Sequence, residues 1–150
     1  MAYENTFCAL KPGVLQRRIV GEVLSRIERK GLKITALRMM QLSRELCEAQ
    51  YEEHKDKSFY ESLVNYMTSG PVIAMVVSGE NAIKYMRALA GKTNPQEAAP
   101  GTIRGDYALV TQNNIIHASD SPESASREID LYFDESEIHE YEDGNAHWMV

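Results

Sequence analysis

The histidine at position 117 stands in a setting that suits phosphate chemistry. It lies in the stretch NNIIHASDSPESASREI, between a short apolar run and a series of small hydroxyl residues that is typical of a helix start. The free amides of a helix N-terminus bind anions, and an imidazole that is partly neutral near pH 7 can act as a nucleophile. Phosphoryl transfer through this histidine would need a partner for its second ring nitrogen and fixed cations around the migrating group.

The sequence contains residues of the types that such a reaction needs. Glu128 lies seven positions after Ser121, at the edge of the apolar stripe of a predicted helix, and can point back toward the sheet end that carries His117. Three cations come from three separate segments, namely Lys11, Arg87 and Arg104. Taken singly, each of these cations is more often a solvated surface charge, and a lone histidine at a strand end is more often structural. From the residues alone, the chain has a candidate anion site with a candidate nucleophilic histidine.

Other motifs carry weaker signals. His54 falls in the polar run YEEHKDK, His139 in an acidic tail and His147 near the terminus, so we expect none of them to take part in chemistry. The tripeptide GKT at positions 91–93 resembles the end of a phosphate-binding P-loop, but that motif needs a glycine where this chain has Met86. It also follows a predicted helix rather than a strand, so the P-loop interpretation is rejected.

Composition limits the class of protein. With 150 residues, 43% hydrophobic and 25% charged, the chain fits one globular domain over residues 1–150. The net charge of −6 argues against a nucleic-acid partner, because phosphate backbones demand a basic surface. No run approaches the ~18 apolar residues of a membrane helix, and MAYENTFCAL lacks a charged leader, so we expect a cytoplasmic protein without a membrane partner. Cys8 and Cys47 predict reduced structural thiols.

Hydrophobic patterns predict four strands separated by helices. The strand segments are NTFCALK, LKITALRMM, VIAMVV and IIHA. Helices are predicted around 19–27, over RELCEAQYEEHK after an N-cap at Ser43, over SFYESLVNYMTS, around 82–90, and after Ser121-Pro122. The run VIAMVV is apolar without alternation, which predicts a central strand that is covered on both faces. Residues 92–113 form a long segment without periodicity.

The order of these elements predicts the fold class. It is β-α-β-α-α-β-α-loop-β-α, and without the extra helices it becomes βαββαβ. That is the split βαβ arrangement of ferredoxin-like folds, which we expect here with helices packed on one face of the sheet. The prediction is an α+β protein with a ferredoxin-like four-stranded antiparallel sheet, additional helices and a long loop.

The segment NIIHASDS resembles the active-site signature of nucleoside diphosphate kinases. Agreement with that family runs in order through TFCALKP, GEVLSRIERKGLKI, YMTSGPVIAMV, TNPQEAAPGTIRGD and NIIHASDSPESA, and includes the tail tryptophan. The resemblance implies the same ferredoxin-like fold, with the loop after Gly91 ordered at a subunit contact. It also implies a ping-pong reaction in which His117 takes the γ-phosphoryl group of a nucleoside triphosphate, forms a phosphohistidine and passes the group to a nucleoside diphosphate.

The resemblance also implies roles for further residues. Ser119 and Glu128 match the hydrogen-bonding partners of the histidine, Tyr51 matches a tyrosine that supports the site, and Phe59 matches the aromatic residue that stacks on the base. The residues that match ligands of the phosphates and the sugar are Lys11, Arg87, Thr93, Arg104 and Asn114. Lys11 is also counted with the catalytic residues.

Further expectations concern the substrate, the cofactor and the assembly. Stacking implies broad base specificity, because every base has a π-face. Mg²⁺ is expected on the nucleotide phosphates, so no side chain is predicted as a metal ligand. The resemblance implies a homo-oligomer, a hexamer in preference to a tetramer. Two positions depart from the family pattern: Gly13-Val14 follows Lys11-Pro12 where Asp-Gly is frequent, and Thr111 stands where an apolar residue often completes the base slot.

Two alternative functions belong to other classes. A non-catalytic nucleotide sensor or interaction module could keep the fold and the pocket, but the presence of His117, Lys11, Arg104 and Glu128 speaks against it. A single-stranded nucleic-acid binder of the same fold class would use exposed aromatic residues in basic surroundings, and the chain has only three phenylalanines and an acidic balance.

Overall fold

The computed structural model describes residues 2–149 as four strands and six α-helices. The strands are β1 (Tyr3–Leu10), β2 (Lys33–Met40), β3 (Val72–Glu80) and β4 (Ile116–Ala118). The helices are α1 (Val20–Arg29), α2 (Arg44–Gln50), α3 (Tyr60–Met67), α4 (Ala82–Ala90), α5 (Ile103–Tyr107) and α6 (Pro122–Tyr132). The strand order is β2-β3-β1-β4, and all neighbours are antiparallel. The predicted α+β, ferredoxin-like sheet is confirmed.

Helices cover both faces of the sheet, so the expectation that they pack on one face is wrong. In β1, Cys8 and Leu10 point into a core shared with α1 and α4, whereas Phe7 and Ala9 point into a second core with α2, α3 and α6. Helices α2 and α3, which lie between β2 and β3 in the sequence, and helix α6 have apolar faces of their own. They bury these faces against the side of the sheet that carries Phe7 and Ala9. The unbroken apolar run of β3 correctly indicated this double coverage.

Helix caps follow the predicted chemistry. The Ser43 hydroxyl accepts a hydrogen bond from the Leu46 amide, and the Ser121 hydroxyl accepts one from the Ser124 amide, each at 3.1 Å. Helix α2 is shorter than predicted, because Tyr51 leaves helical geometry and its side chain is buried in the second core. A 3₁₀ turn over 52–54 replaces the predicted last turn.

The long loop of residues 92–113 is tied to the body of the protein and contains α5, which the sequence patterns did not predict. The Thr102 hydroxyl caps α5 by accepting a hydrogen bond from the Gly105 amide at 3.0 Å. Asp106 forms an ion pair of 2.7 Å with Arg26 of α1. These contacts fix Arg104, which lies inside α5, relative to the sheet. Within residues 2–149, no helix combines the length and the apolarity that a bilayer crossing needs.

Candidate active site

The candidate site lies where β1 ends and β4 begins, since these two adjacent strands are antiparallel. His117 in β4 pairs with Ala9 of β1, and Lys11 follows the last residue of β1. The Lys11 amide donates to the Ile115 carbonyl at 2.8 Å, and Ile115 has a φ of 75°, so a tight turn precedes β4. A pocket of about 160 Å³ opens here, and its lining includes nine of the ten predicted site residues: Lys11, Tyr51, Arg87, Thr93, Arg104, Asn114, His117, Ser119 and Glu128.

The imidazole of His117 is held by a buried carboxylate. Its Nε2 lies 2.7 Å from Oε2 of Glu128, and the Ser119 hydroxyl donates to Oε1 of the same carboxylate at 2.5 Å. Burial disfavours the charged form of Glu128, but hydrogen bonds from His117, Ser119 and Gln50 outweigh burial and hold the pKa of the carboxyl below its usual value. A charged Glu128 accepts a hydrogen bond from the N–H group at Nε2 and stabilises positive charge on the ring.

The second ring nitrogen, Nδ1, receives no hydrogen bond from the part of the chain that the structure describes. The side chain of His117 is 21% exposed and lines the pocket, so it is open to a ligand. Tyr51 meets the ring edge-on with centroids 6.2 Å apart, and Phe7 lies at 6.0 Å. These rings restrict the tilt of the imidazole. A neutral imidazole with its proton on Nε2 presents an electron pair on Nδ1.

Arg104 is a buried cation whose polar contacts are carbonyl groups. It is 3% exposed and donates from Nη1 to the Gly91 carbonyl at 2.8 Å and from Nη2 to the Ile116 carbonyl at 2.7 Å. Its Nε is buried and has no hydrogen-bond partner in residues 2–149. Burial and the nearby Arg87 lower the pKa of the Arg104 guanidinium to about 10.

Lys11 and Arg87 add positive charge to the same pocket. Lys11 is 8% exposed and donates from Nζ to the Gln112 carbonyl at 3.3 Å, while burial and Arg104 lower its pKa to about 7. Arg87 donates to the Ala118 carbonyl at 3.1 Å. Within residues 2–149, none of these three cations forms an ion pair with a carboxylate. Lys11 and Arg104 are buried and Arg87 is exposed, and buried positive charges without a carboxylate partner favour an anionic ligand.

Polar and aromatic groups lie around the cations. The Asn114 side chain donates to the Thr93 carbonyl at 2.9 Å, and its Oδ1 is buried without a partner in the described residues. Phe59, the one predicted site residue outside the pocket lining, is 46% exposed and immediately precedes α3. Its ring lies 5.7 Å from that of His54, which does line the pocket. Phe59 therefore lies beside the pocket mouth and offers an open aromatic face.

Sequence reasoning gave His54 no role in the site, whereas the structure places it in the pocket lining. The imidazole lies between Tyr51 and Phe59, with centroids 6.5 and 5.7 Å away, and its Nδ1 is buried without a partner within residues 2–149. The polar sequence around His54 gave no sign that its side chain faces the pocket, because the periodicity of a 3₁₀ turn differs from that of an α-helix. The sequence carried one usable signal, since His54 stands between two residues that were already assigned to the site. Gln50 and Arg127 also line the pocket and were missed.

The two departures from the family pattern leave the cations in place. Gly13 has a φ of +98°, a left-handed conformation that glycine adopts without steric cost, and Lys11 still reaches the pocket. Thr111 is exposed, and its neighbour Gln112 accepts a hydrogen bond from Ser62 at 3.0 Å. The departure at Gly13 therefore alters the turn that follows Lys11, while the Lys11 side chain still lies in the pocket.

Comparisons with known proteins identify the family of the chain. The family model for nucleoside diphosphate kinase matches residues 4–138. A nucleoside diphosphate kinase from Archaeoglobus fulgidus is 56% identical over 146 residues, covering 97% of each chain, and one from Methanocaldococcus jannaschii is 60% identical over 135 residues, covering 90% of this chain and 96% of the relative. The solved structure of a halophilic nucleoside diphosphate kinase from Halobacterium salinarum in complex with CDP superposes with a TM-score of 0.96 at 42% identity, covering 99% of each chain. The chain therefore belongs to the nucleoside diphosphate kinase family.

Proposed function

We propose that this enzyme, which transfers phosphoryl groups between nucleotides, does so by a ping-pong reaction through a phosphohistidine on His117. The observation that carries the proposal is the His117–Glu128 contact of 2.7 Å beside three cations without carboxylate partners in the described residues. A sensor would need neither an imidazole oriented by a buried carboxylate nor an open ring nitrogen. The family assignment also favours the enzyme over that alternative.

The first half-reaction begins at Nδ1 of His117. Its electron pair attacks the γ-phosphorus of the triphosphate, the N–P bond forms, and the bond from phosphorus to the β,γ-bridging oxygen breaks, so that a nucleoside diphosphate leaves. The ring becomes positively charged while Nε2 keeps its proton, and Glu128 offsets that charge through the hydrogen bond. In the second half-reaction an oxygen of the β-phosphate of another diphosphate attacks phosphorus, and the N–P bond breaks. No side chain has to gain or lose a proton.

The substrate groups divide between the charged and the aromatic parts of the site. Lys11, Arg87, Arg104 and Thr93 hold the phosphates, and the first three offset the charge that spreads over the transferring group. Asn114 holds the sugar side, where its buried Oδ1 accepts a hydrogen bond from a hydroxyl. Phe59 stacks on the base, which makes recognition tolerant of base identity. The solved complex of the Halobacterium salinarum relative with CDP supports a nucleotide as the ligand of this chain.

Mg²⁺ accompanies the nucleotide in this proposal. Residues 2–149 contain no group of three or more histidine, cysteine, aspartate or glutamate side chains arranged to hold a metal ion, and the pocket lining includes four lysine and arginine side chains beside three carboxylates. Such a lining fits a metal that the phosphates carry, because Mg²⁺ takes phosphate oxygens and retains water. The ion would offset phosphate charge, while the side chains of the chain bind and orient the phosphates.

Assembly and location complete the proposal. We infer a cytoplasmic homo-oligomer, a hexamer in preference to a tetramer, in which residues 1–150 form one domain. Light scattering of the purified protein would give the subunit number, and a single unfolding transition would support one domain. Cell fractionation would test the location.

The decisive test is transfer of radiolabel from triphosphate to protein to diphosphate. Incubation with γ-labelled ATP and Mg²⁺ should give acid-labile, alkali-stable label that leaves the protein when unlabelled GDP, CDP or UDP is added. The variant His117→Ala should fold and bind nucleotide but take up no label. Label on a hydroxyl residue, or label on His117 that no diphosphate removes, would overturn the proposed reaction.

A further inference from the structure

Gln50 is a buried amide that joins the end of α2 to two residues of α6, the catalytic Glu128 and Tyr132. It is the last residue of α2 and is 1% exposed. Oε1 of Gln50 accepts a hydrogen bond from the Tyr132 hydroxyl, and Nε2 of Gln50 donates one to Oε2 of Glu128 at 3.4 Å. The proposed phosphoryl-transfer steps assign no role to Gln50. A buried amide with a partner at each end is well placed to orient either of them.

The two ends of this amide are not interchangeable. Burial raises the pKa of the Tyr132 phenol, which therefore keeps its proton and donates it. Rotation of the amide by 180° would turn Oε1 of Gln50 toward the carboxylate of Glu128 and oppose two electron-rich oxygens in a buried setting. The hydrogen bonds therefore run in one direction, from Tyr132 through Gln50 to Glu128.

Both oxygens of the Glu128 carboxylate are thereby held. Oε1 accepts from Ser119 at 2.5 Å, and Oε2 receives both Nε2 of His117 at 2.7 Å and the Gln50 amide. Without the amide, Oε2 would keep only the His117 ring as its partner in the described residues, so no group other than the imidazole itself would fix the position of this oxygen. The main chain of Gln50 is anchored as well, because Nη1 of Arg127 in α6 donates to its carbonyl at 3.4 Å.

We propose that Gln50 is a positioning residue that fixes the Glu128 carboxylate so that the proton of His117 stays on Nε2 and Nδ1 remains free to attack phosphorus. This inference rests on the proposed function for its kinetic consequence. Its structural consequence, the tautomer of His117, can be measured without any turnover. Gln50 touches no substrate in this scheme and acts through Glu128 alone.

The kinetic test replaces Gln50 with methionine, which has a similar length and no hydrogen-bonding amide. We expect Gln50→Met to lower kcat about 3- to 10-fold, the range of one ordinary lost hydrogen bond, with KM for nucleotides within about twofold. Because Gln50→Met leaves the Tyr132 hydroxyl unpartnered, the double variant Gln50→Met/Tyr132→Phe should recover stability and keep the low kcat. A low rate caused by poor folding would instead recover with stability.

The control removes a buried hydrogen bond elsewhere. Thr35 and Ser78 form a buried hydroxyl pair of 2.9 Å between β2 and β3, outside the pocket lining. Thr35→Val should lower stability and leave kcat unchanged. A double-mutant cycle adds specificity, because Gln50→Met should have no further effect on kcat once Glu128→Gln is present. An additive loss in that background would overturn the proposal.

The spectroscopic test measures the histidine tautomer directly. Ring ¹⁵N shifts of the unphosphorylated protein, assigned with His117→Asn, should show Nε2–H as the dominant neutral form of His117 and a mixture of the two tautomers in Gln50→Met. An unchanged tautomer together with an unchanged kcat would overturn the role of Gln50. Absence of label on His117 in the unmodified protein would overturn the proposed function, while the tautomer measurement would still report on Gln50.

Discussion

The Nε2 atom of His117 lies 2.7 Å from Oε2 of Glu128, although the two residues come from β4 and α6. This contact decides which ring nitrogen is available for chemistry. It also makes Glu128 the partner that balances the positive charge of the phosphorylated ring, since a carboxylate hydrogen-bonded to an imidazole favours its protonated or substituted form.

The first prediction concerns a substitution that removes the negative charge of Glu128. Glu128→Gln keeps the shape of the side chain and should lower kcat by about tenfold or more, the cost of replacing a charge-assisted hydrogen bond with a neutral one. The measurement is nucleotide exchange with saturating substrates. Glu123→Gln, an exposed position in the first turn of the same helix, serves as the control and should keep full activity. Equal rates for both variants would contradict the role of Glu128.

The second prediction concerns Lys11 and stability. Burial lowers the pKa of Lys11 from 10.5 to about 7, so the folded protein binds the proton more weakly than the unfolded chain does. Below pH 7 the lysine is charged in both states and the full burial cost is present, and that cost falls as pH rises from about 7 toward 10.5. Lys11→Met should therefore raise Tm by about 5 °C or more at pH 6 and by less at pH 9.

The same variant separates stability from activity. Lys11→Met should lose nucleotide exchange while its Tm rises, because the charge that destabilises the empty site is the one that holds phosphate. Thermal melts without nucleotide at the two pH values give the measurement. Lys84→Met, an exposed lysine on α4, is the control and should show little change in either property. A lower Tm for Lys11→Met at pH 6 would contradict the argument.

The third prediction uses a glycine beside Arg104. A Cβ atom at Gly105 would collide with the backbone carbonyl of Ala99, and backbone cannot move aside cheaply. Gly105→Ala should therefore destabilise α5, shift Arg104 and weaken nucleotide binding about tenfold or more, as measured by calorimetric titration. Gly21→Ala is the matched control, because Gly21 lies in α1 with open space around it and should be neutral or slightly stabilising.

The fourth prediction tests the aromatic face of Phe59. Loss of one stacked base is worth about 1–3 kcal/mol, so Phe59→Ala should raise KM about 5- to 100-fold with kcat little changed. The increase should be similar for ATP, GTP, CTP and UTP, because stacking does not read base edges. A large increase for a single nucleotide would show hydrogen-bond recognition instead.

Local patterns predicted the elements of the fold because each depends on near neighbours in the sequence. Ser43 and Ser121 indicate the starts of helices because their own hydroxyl groups cap them. The apolar run of β3 indicates a strand that is covered on both faces. The distribution of helices over those faces was mispredicted, since it depends on which apolar stripes meet after the chain has folded. Helix α5 was missed because a five-residue helix is too short to show periodicity.

Some residues of the candidate site could be predicted from the sequence and others could not. Residue types and the resemblance identified His117 and Lys11, but their proximity follows from strand pairing, in which Ala9 lies opposite His117. His54 was rejected because its neighbours are polar, and only the 3₁₀ turn brings its ring toward Phe59. Gln50 carries no motif, and its importance is visible only from the two side chains that it contacts.

The position of β1 has a consequence for heat inactivation. This strand pairs with β3 on one side and with β4 on the other, leads directly into Lys11 and lies beside His117. Separation of the lysine from the histidine therefore requires melting of the central strand, whereas Phe59 at the start of a peripheral helix can drift without it. On warming, base affinity should decline before the capacity to form phosphohistidine, and that capacity should vanish together with the sheet.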